Sequence, residues 1–103
     1  MNKEERKHYD RLSRLGCIAC LTLGYGYSPS EIHHLRYQAG AGKKSDFNKS
    51  IPLCPHHHRL GGYGVAIHAG RRAFEEAIGM TELELLEKTL QLLKDDNETF
   101  NSI

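Results

Sequence analysis

The stretch Leu53-Cys54-Pro55-His56-His57-His58-Arg59 sets one cysteine and three histidines within five consecutive positions, a density that points to metal chemistry. Tetrahedral zinc sites draw their ligands in closely spaced pairs, and a cysteine followed three residues later by a histidine is one such pair. Cys54 and His57 form that half. Cys17-Ile18-Ala19-Cys20 supplies the other half, and the resulting Cys3His set uses all three cysteines of the chain. With Zn–S bonds near ~2.3 Å and Zn–N bonds near ~2.0–2.1 Å, such a set makes a closed structural site. Without a metal, the same residues read as small buried hydrophobes beside solvated histidines. Cys-x-x-Cys also occurs in thiol-disulfide enzymes, but a thioredoxin-like βαβ pattern is missing, and that reading leaves Cys54 and His57 unexplained.

The zinc set leaves His58 unused, and Ile32-His33-His34-Leu35 places two further histidines between apolar neighbours. In a short helix starting near His57, successive side chains leave the axis about 100° apart at ~3.6 residues per turn. His57 then faces the zinc while His58 faces elsewhere, its bearing set by the metal. On a regular strand, His33 and His34 point to opposite faces, and both reach one site only where the strand ends or bulges. Otherwise one is buried and hydrogen-bonded and the other is exposed.

In their order along the chain, Cys-x-x-Cys, Glu31-Ile32-His33-His34-Leu35, Gly40-Ala41-Gly42-Lys43, Ile51-Pro52-Leu53-Cys54, His57-His58-Arg59, Ala66-Ile67-His68-Ala69-Gly70 and Phe74-Glu75 form a recognisable series. This series resembles the phage-encoded RecA-dependent nuclease domain of recombination enhancement over roughly residues 15 to 80. That family belongs to the HNH, or ββα-metal, superfamily of endonucleases.

The resemblance implies an α+β fold, a small zinc-stabilised ββα-metal domain with flanking helices. It implies metal-dependent hydrolysis of DNA phosphodiester bonds, leaving 5′-phosphate and 3′-hydroxyl ends. On that pattern His34 is the general base. His33 and His58 hold a catalytic divalent cation, Mg2+ or a transition metal, with His68 the candidate third ligand; the competing reading of His68 is a helix-cap or surface histidine. Asn48 is the candidate for the middle Asn of the HNH pattern, although its offset from the cysteine is unusual, and Asp46 or the backbone is equally able to orient His34. DNA is the implied partner, together with a RecA-type recombinase filament.

The elements that must position these residues follow from local signals. Asn2 to Leu15 reads as a helix, with Asn2 and Glu5 as a capping box, Gly16 as its stop, and Tyr9 and Leu12 on the buried side. Ser30 to Tyr37 and Ser50 to Leu53 read as the strands of a hairpin. The polar, basic and glycine-bearing connection from Gln38 to Lys49 is suited to a phosphate backbone. It is not a P-loop, because Tyr37 stands where the first Gly belongs and Lys44 follows Lys43. Val65 to Gly79 reads as helical, with His68 near its start. Thr81 and Glu84 form a second capping box, opening a helix over 81–94 with Leu83, Leu86, Leu90 and Leu93 as its apolar stripe, widened by Leu85 and Leu92. The stripe is too short to specify a coiled coil, but pairing of two copies through this helix is a candidate assembly. Residues 95–103 read as a disordered tail.

At 103 residues the chain reads as one domain, of a size at which a structural metal helps a small core. No apolar run approaches the ~20 residues of a membrane span, and no signal-peptide pattern follows the charged start. The expectation is a cytoplasmic protein without a membrane partner, where cysteines serve as thiols or ligands. The net charge of +1 hides a segregation, since residues 33–72 hold seven Lys/Arg against one Asp/Glu and residues 73–103 hold two against eight. Arg36, Lys43, Lys44, Lys49, Arg59, Arg71 and Arg72 thus lie in the stretch that holds the histidines, where a polyphosphate would dock. A zinc-knuckle module that binds nucleic acid or protein without cutting uses the same zinc set and basic centre. It has no use for the convergence of His33, His34 and His58, and that distinguishes the two readings.

Overall fold

The computed structural model describes residues 2–35 and 48–101, with side chains through residue 95. Arg36, Lys43, Lys44, Asp46 and most of the connection between the strands lie outside the described residues. Helix α1 (Lys3–Leu15) starts as its sequence predicts: the Asn2 side chain accepts from the Glu5 N–H at 2.8 Å, and Glu4 and Glu5 sit in the first turn. Leu12 is fully buried, but His8 rather than Tyr9 shares the buried side. Tyr9 is half-buried. A short helix α2 (Ile18–Thr22) follows, with Cys17 at its N-cap.

Strands β1 (Glu31–His34) and β2 (Ser50–Leu53) pair antiparallel, with Glu31 opposite Leu53, Ile32 opposite Pro52, His33 opposite Ile51 and His34 opposite Ser50. A two-stranded sheet is marginal by itself in water and requires a packed face. Here β2 is buried along its whole length, and Ile51 and Leu53 join Ile18, Leu35, Phe74 and Leu85 in the core.

After β2 the backbone takes a π-helical turn (His56–Leu60), wider than the ordinary helix expected near His57. Its closing bond runs from the Gly61 N–H to the His56 carbonyl at 2.9 Å. Gly61 is required by close approach, since a Cβ there would lie 2.6 Å from that same carbonyl oxygen. Such turns are rare and are frequently found at functional sites. The expected single helix over 65–79 is divided: a 3-10 turn (Ile67–Ala69) carries His68, Gly70 is extended, and helix α3 (Arg71–Ile78) begins after it. Gly79 ends α3 in the left-handed conformation at φ 84°, its N–H bonded to the Glu75 carbonyl.

Helix α4 (Glu82–Asn101) opens with the predicted capping box, the Glu84 N–H reaching Thr81 Oγ1 at 3.1 Å and the Thr81 N–H reaching Glu84 Oε1 at 2.8 Å. Its helical backbone continues to Asn101, past the end expected at residue 94. The buried stripe is Glu82, Leu85, Leu86, Thr89 and Leu93, while Leu83 and Leu90 are exposed by 40 % and 38 %. The stripe is therefore rotated from the one the leucines suggest. Two polar residues lie inside, Thr89 with its hydroxyl satisfied by a 2.7 Å bond to the Leu85 carbonyl of the same helix and Glu82 with its carboxylate bonded to His33. With Leu86 and Leu93 committed to the molecule's own core, the burial gives no support to pairing of two copies through this helix. Among the described residues, no helix is long and apolar enough to cross a membrane.

Candidate functional site

Two groups of possible metal donors form among the described residues, and both draw on the turn after β2. In the first, Cys17, Cys20, Cys54 and His57 converge, all buried, and the cysteines are free thiols. His57 Nδ1 lies 3.7 Å from Cys17 Sγ, 3.5 Å from Cys20 Sγ and 3.3 Å from Cys54 Sγ, and the Cys20 and Cys54 sulfurs are 3.9 Å apart. A zinc tetrahedron with ~2.3 Å Zn–S and ~2.05 Å Zn–N bonds has edges of about 3.8 Å between sulfurs and about 3.6 Å from sulfur to nitrogen. The observed separations lie within about 0.3 Å of those edges, so the donor set fits one zinc ion.

The local electrostatics suit a cation. Burial pushes the Cys17 thiol up to about 12, so that its ionisation calls for a positive charge beside it. Burial acts on Cys54 too, but backbone N–H groups of His57 and His56, with the thiols of Cys17 and Cys20, bring it below its ordinary value. Burial, with His56 alongside, lowers His57 and favours the neutral ring that a ligand requires. The backbone contributes as well, the Cys20 N–H donating to Cys17 Sγ at 3.3 Å across the first turn of α2.

In the second group, His33 from β1, His58 from the π-turn and His68 from the 3-10 turn each place a ring nitrogen within 4.8 Å of the others. The ring centroids of His33 and His58 are 5.3 Å apart, those of His33 and His68 5.6 Å, and those of His58 and His68 4.3 Å. His33 is deeply buried and His68 exposed, so this cluster opens to the surface on one side. A cavity of about 310 Å³ runs along His33, His68, Gly70, Arg71 and Glu82. A larger cavity, about 450 Å³, borders Cys20, Cys54 and His57. The donors beside that larger cavity belong to the buried Cys3His set, whereas the smaller one borders the partly exposed three-histidine group.

Two of these three histidines are tied to carboxylates. His58 Nδ1 lies 2.8 Å from Glu31 Oε1, and Arg59 donates to the same carboxylate through Nε at 3.0 Å and Nη2 at 2.7 Å. The Arg59 guanidinium, with His58 beside it, holds the Glu31 carboxyl down at about 2. His33 Nε2 lies 2.6 Å from Glu82 Oε2, both side chains buried. Histidines that bind metals commonly pass their second N–H to a carboxylate, which sets tautomer and ring orientation. The donor set thus has the chemistry of a divalent-cation site with one side open.

His34 stands outside this cluster, so of the expected convergence of His33, His34 and His58 only His33 and His58 meet, with His68 as the third member. It ends β1, is exposed, and meets Tyr9 of α1 edge to face at 6.1 Å between centroids. Partial burial, then the nearby charges of His33 and His58, lower its pKa. Asn48 and Lys49 are exposed in the turn leading into Ser50, the register partner of His34. Arg59 spends two donors on Glu31, and Arg71 reaches Glu75 at 3.1 and 3.2 Å while lining the smaller cavity.

Glu31 and Glu82 are the participants that sequence reasoning missed. Glu31 had a usable signal: it lies two residues before His33 and so shares its strand face. Glu82 had none, because 49 positions separate it from His33 and it stands at the start of a leucine-rich helix.

The chain matches, over residues 2–94, the family described as recombination enhancement, RecA-dependent nuclease. No curated protein and no solved structure matches it.

Proposed function

We propose that this chain, which belongs to the recombination-enhancement, RecA-dependent nuclease family, hydrolyses DNA phosphodiester bonds by an HNH-type mechanism. Nuclease activity and a part in recombination come with the family. The observation that carries the finer reading is the convergence of His33, His58 and His68 from three separate elements beside an open cavity. A zinc-knuckle binding module has no need of it.

Cys17, Cys20, Cys54 and His57 hold a structural zinc, which ties α2 to the turn after β2 and so sets the bearing of His58. His33, His58 and His68 hold the divalent cation. A divalent ion held by these three histidines would supply charge neutralisation to the phosphate and its leaving group. His34, at the end of β1 beside this cluster, takes the proton of the attacking water, and its lowered pKa leaves the ring neutral and able to accept it near neutral pH. The water oxygen bonds to phosphorus as the bond to the 3′ oxygen breaks, and that oxygen leaves with a proton from solvent as a 3′-hydroxyl.

Arg71, at the cavity wall, and Lys49, at the hairpin end, stand where they can approach the phosphate backbone. Arg59 acts chiefly through Glu31, and Asn48 is retained as an orienting residue for His34. DNA and a RecA-type filament are the partners, in a bacterial cytoplasm.

Cleavage of single-stranded DNA, duplex DNA and a RecA filament carrying paired DNA tests this reading, with Mg2+, Mn2+ or Ni2+ added. Wild type is compared with His34→Ala and His58→Ala at matched zinc content. Metal-dependent cutting that disappears in both variants is expected. Binding of DNA without cutting of any substrate, by wild type, would replace the nuclease with the binding module. Cutting that survives in His34→Ala would keep the enzyme and remove its base.

A further inference from the structure

Glu82 is an odd residue for its position. It is 1 % exposed, in the first turn of α4, on the same buried stripe as Leu85 and Leu86. An apolar side chain there would extend the core, whereas a buried carboxylate costs desolvation that only good partners offset. One oxygen has such a partner, the His33 ring nitrogen at 2.6 Å; the other, Oε1, is buried with no hydrogen-bond partner among the described residues. Glu82 also lines the 310 Å³ cavity that His33 and His68 share. Packing alone does not account for a buried acid with one oxygen committed to a histidine and the other left unpaired.

Its placement is itself held. The Glu82 N–H donates to Glu75 Oε2 at 2.6 Å, and both oxygens of that Glu75 carboxylate also accept from Arg71 at the cavity wall. The capping box at Thr81 fixes where α4 begins, and thereby the direction from which the carboxylate enters.

From this geometry we infer that Glu82 is a positioning residue for the three-histidine site: it receives the His33 Nε2–H, holds the ring in that tautomer, and so leaves Nδ1 unprotonated to face the divalent cation. Glu31 does the corresponding work for His58 through Nδ1, leaving Nε2. The two ligands are thus braced through opposite ring nitrogens by acids from different elements, one from β1 itself and one from α4. Glu82 acts through His33 and does not touch the substrate. The inference rests on the three-histidine reading of the site.

The test uses the full chain with its Cys3His site loaded with zinc, and Co2+ as the probe of the second site. Absence of sulfur-to-cobalt charge transfer verifies that the cysteines keep their zinc. In wild type free of the second ion, histidine 15N shifts are expected to show His33 as the Nε2–H tautomer. Glu82→Gln presents an amide that can donate to Nε2 and so favour the other tautomer. It is expected to weaken Co2+ binding by about ten- to a hundredfold and to change the visible spectrum of the bound ion, with zinc content and far-UV circular dichroism retained. A purely structural role for Glu82 would move the melting temperature and leave both tautomer and spectrum alone. His33 found as the Nδ1–H tautomer in wild type overturns the inference, even if Glu82→Gln does not fold. So does Co2+ affinity and spectrum unchanged in Glu82→Gln. If wild-type protein loaded with zinc takes up no Co2+ at all, the three-histidine site itself fails and this inference falls with it.

Discussion

The Cys3His cluster and the three-histidine cluster share a turn of backbone, since His57 belongs to one and its neighbour His58 to the other, yet they are built on different plans. In the first, every donor is buried, the ligands come as two tight pairs, and no carboxylate takes part among the described residues. In the second, the donors come singly from three elements, one is exposed, and two lean on acids. A site that only has to stay closed can be made from ligands that enclose the ion. A site that must admit a substrate needs an open side, and the bracing lost there has to come from behind. In the proposed site the carboxylates supply it.

That contrast can be broken most forcefully at the zinc. Apparent binding free energies of structural zinc run to about 10–16 kcal/mol, comparable to or above the roughly 5–15 kcal/mol of a whole domain's stability. Chelation, or Cys54→Ser, is therefore expected to unfold the domain and abolish every activity, read as loss of far-UV circular dichroism in step with zinc release. A folded protein free of zinc would show that the first cluster does not hold the fold together.

His58→Ala should behave in the opposite way. The zinc content and fold are retained, while cleavage falls by more than about a hundredfold, since the proposed ligand of the second ion is lost and not merely weakened. The measurement is cleavage rate beside zinc stoichiometry. Loss of zinc in this variant would mean that the two clusters are not separable.

Glu31→Gln is a milder change. It leaves all three rings in place but removes the charge that His58 and Arg59 share. The expected result is about tenfold weaker binding of the second ion, measured by Co2+ titration, with zinc unaffected. Unchanged affinity would limit the bracing idea to His33.

Thr81→Ala gives the smallest effect. Removing one half of the capping box should cost about 1 kcal/mol, seen as a lower denaturation midpoint with no change in zinc content. Because Glu82 is the next residue, second-ion affinity is a sensitive reporter of whether the start of α4 shifts.

Much of this architecture is written in short-range signals. The caps at Asn2 and Thr81, the stop at Gly79 and the strand Ser50–Leu53 appear where local chemistry predicts them. The buried stripe of α4 does not, because a reading based on apolar periodicity cannot know that Glu82 and Thr89 will find partners inside. Gly70 and the π-helical turn are equally hidden, since they answer to close approach, of the Tyr63 ring to Gly70 and of the His56 carbonyl and Val65 to Gly61, rather than to propensity.

The sequence by itself determined the Cys3His set, since ligand pairs three residues apart are nearly fixed by local backbone geometry and only one other pair was available to complete them. It also determined that further histidines required an explanation. Only the tertiary structure decided which of them meet. His33 and His34 are adjacent in the chain, yet one turns into the cluster and the other toward Tyr9, because both lie in the paired register of β1, where successive side chains point to opposite faces. The tertiary structure alone also brought Glu82 to His33, because a contact across 49 positions depends on how α4 packs against the sheet, and no local spacing encodes that.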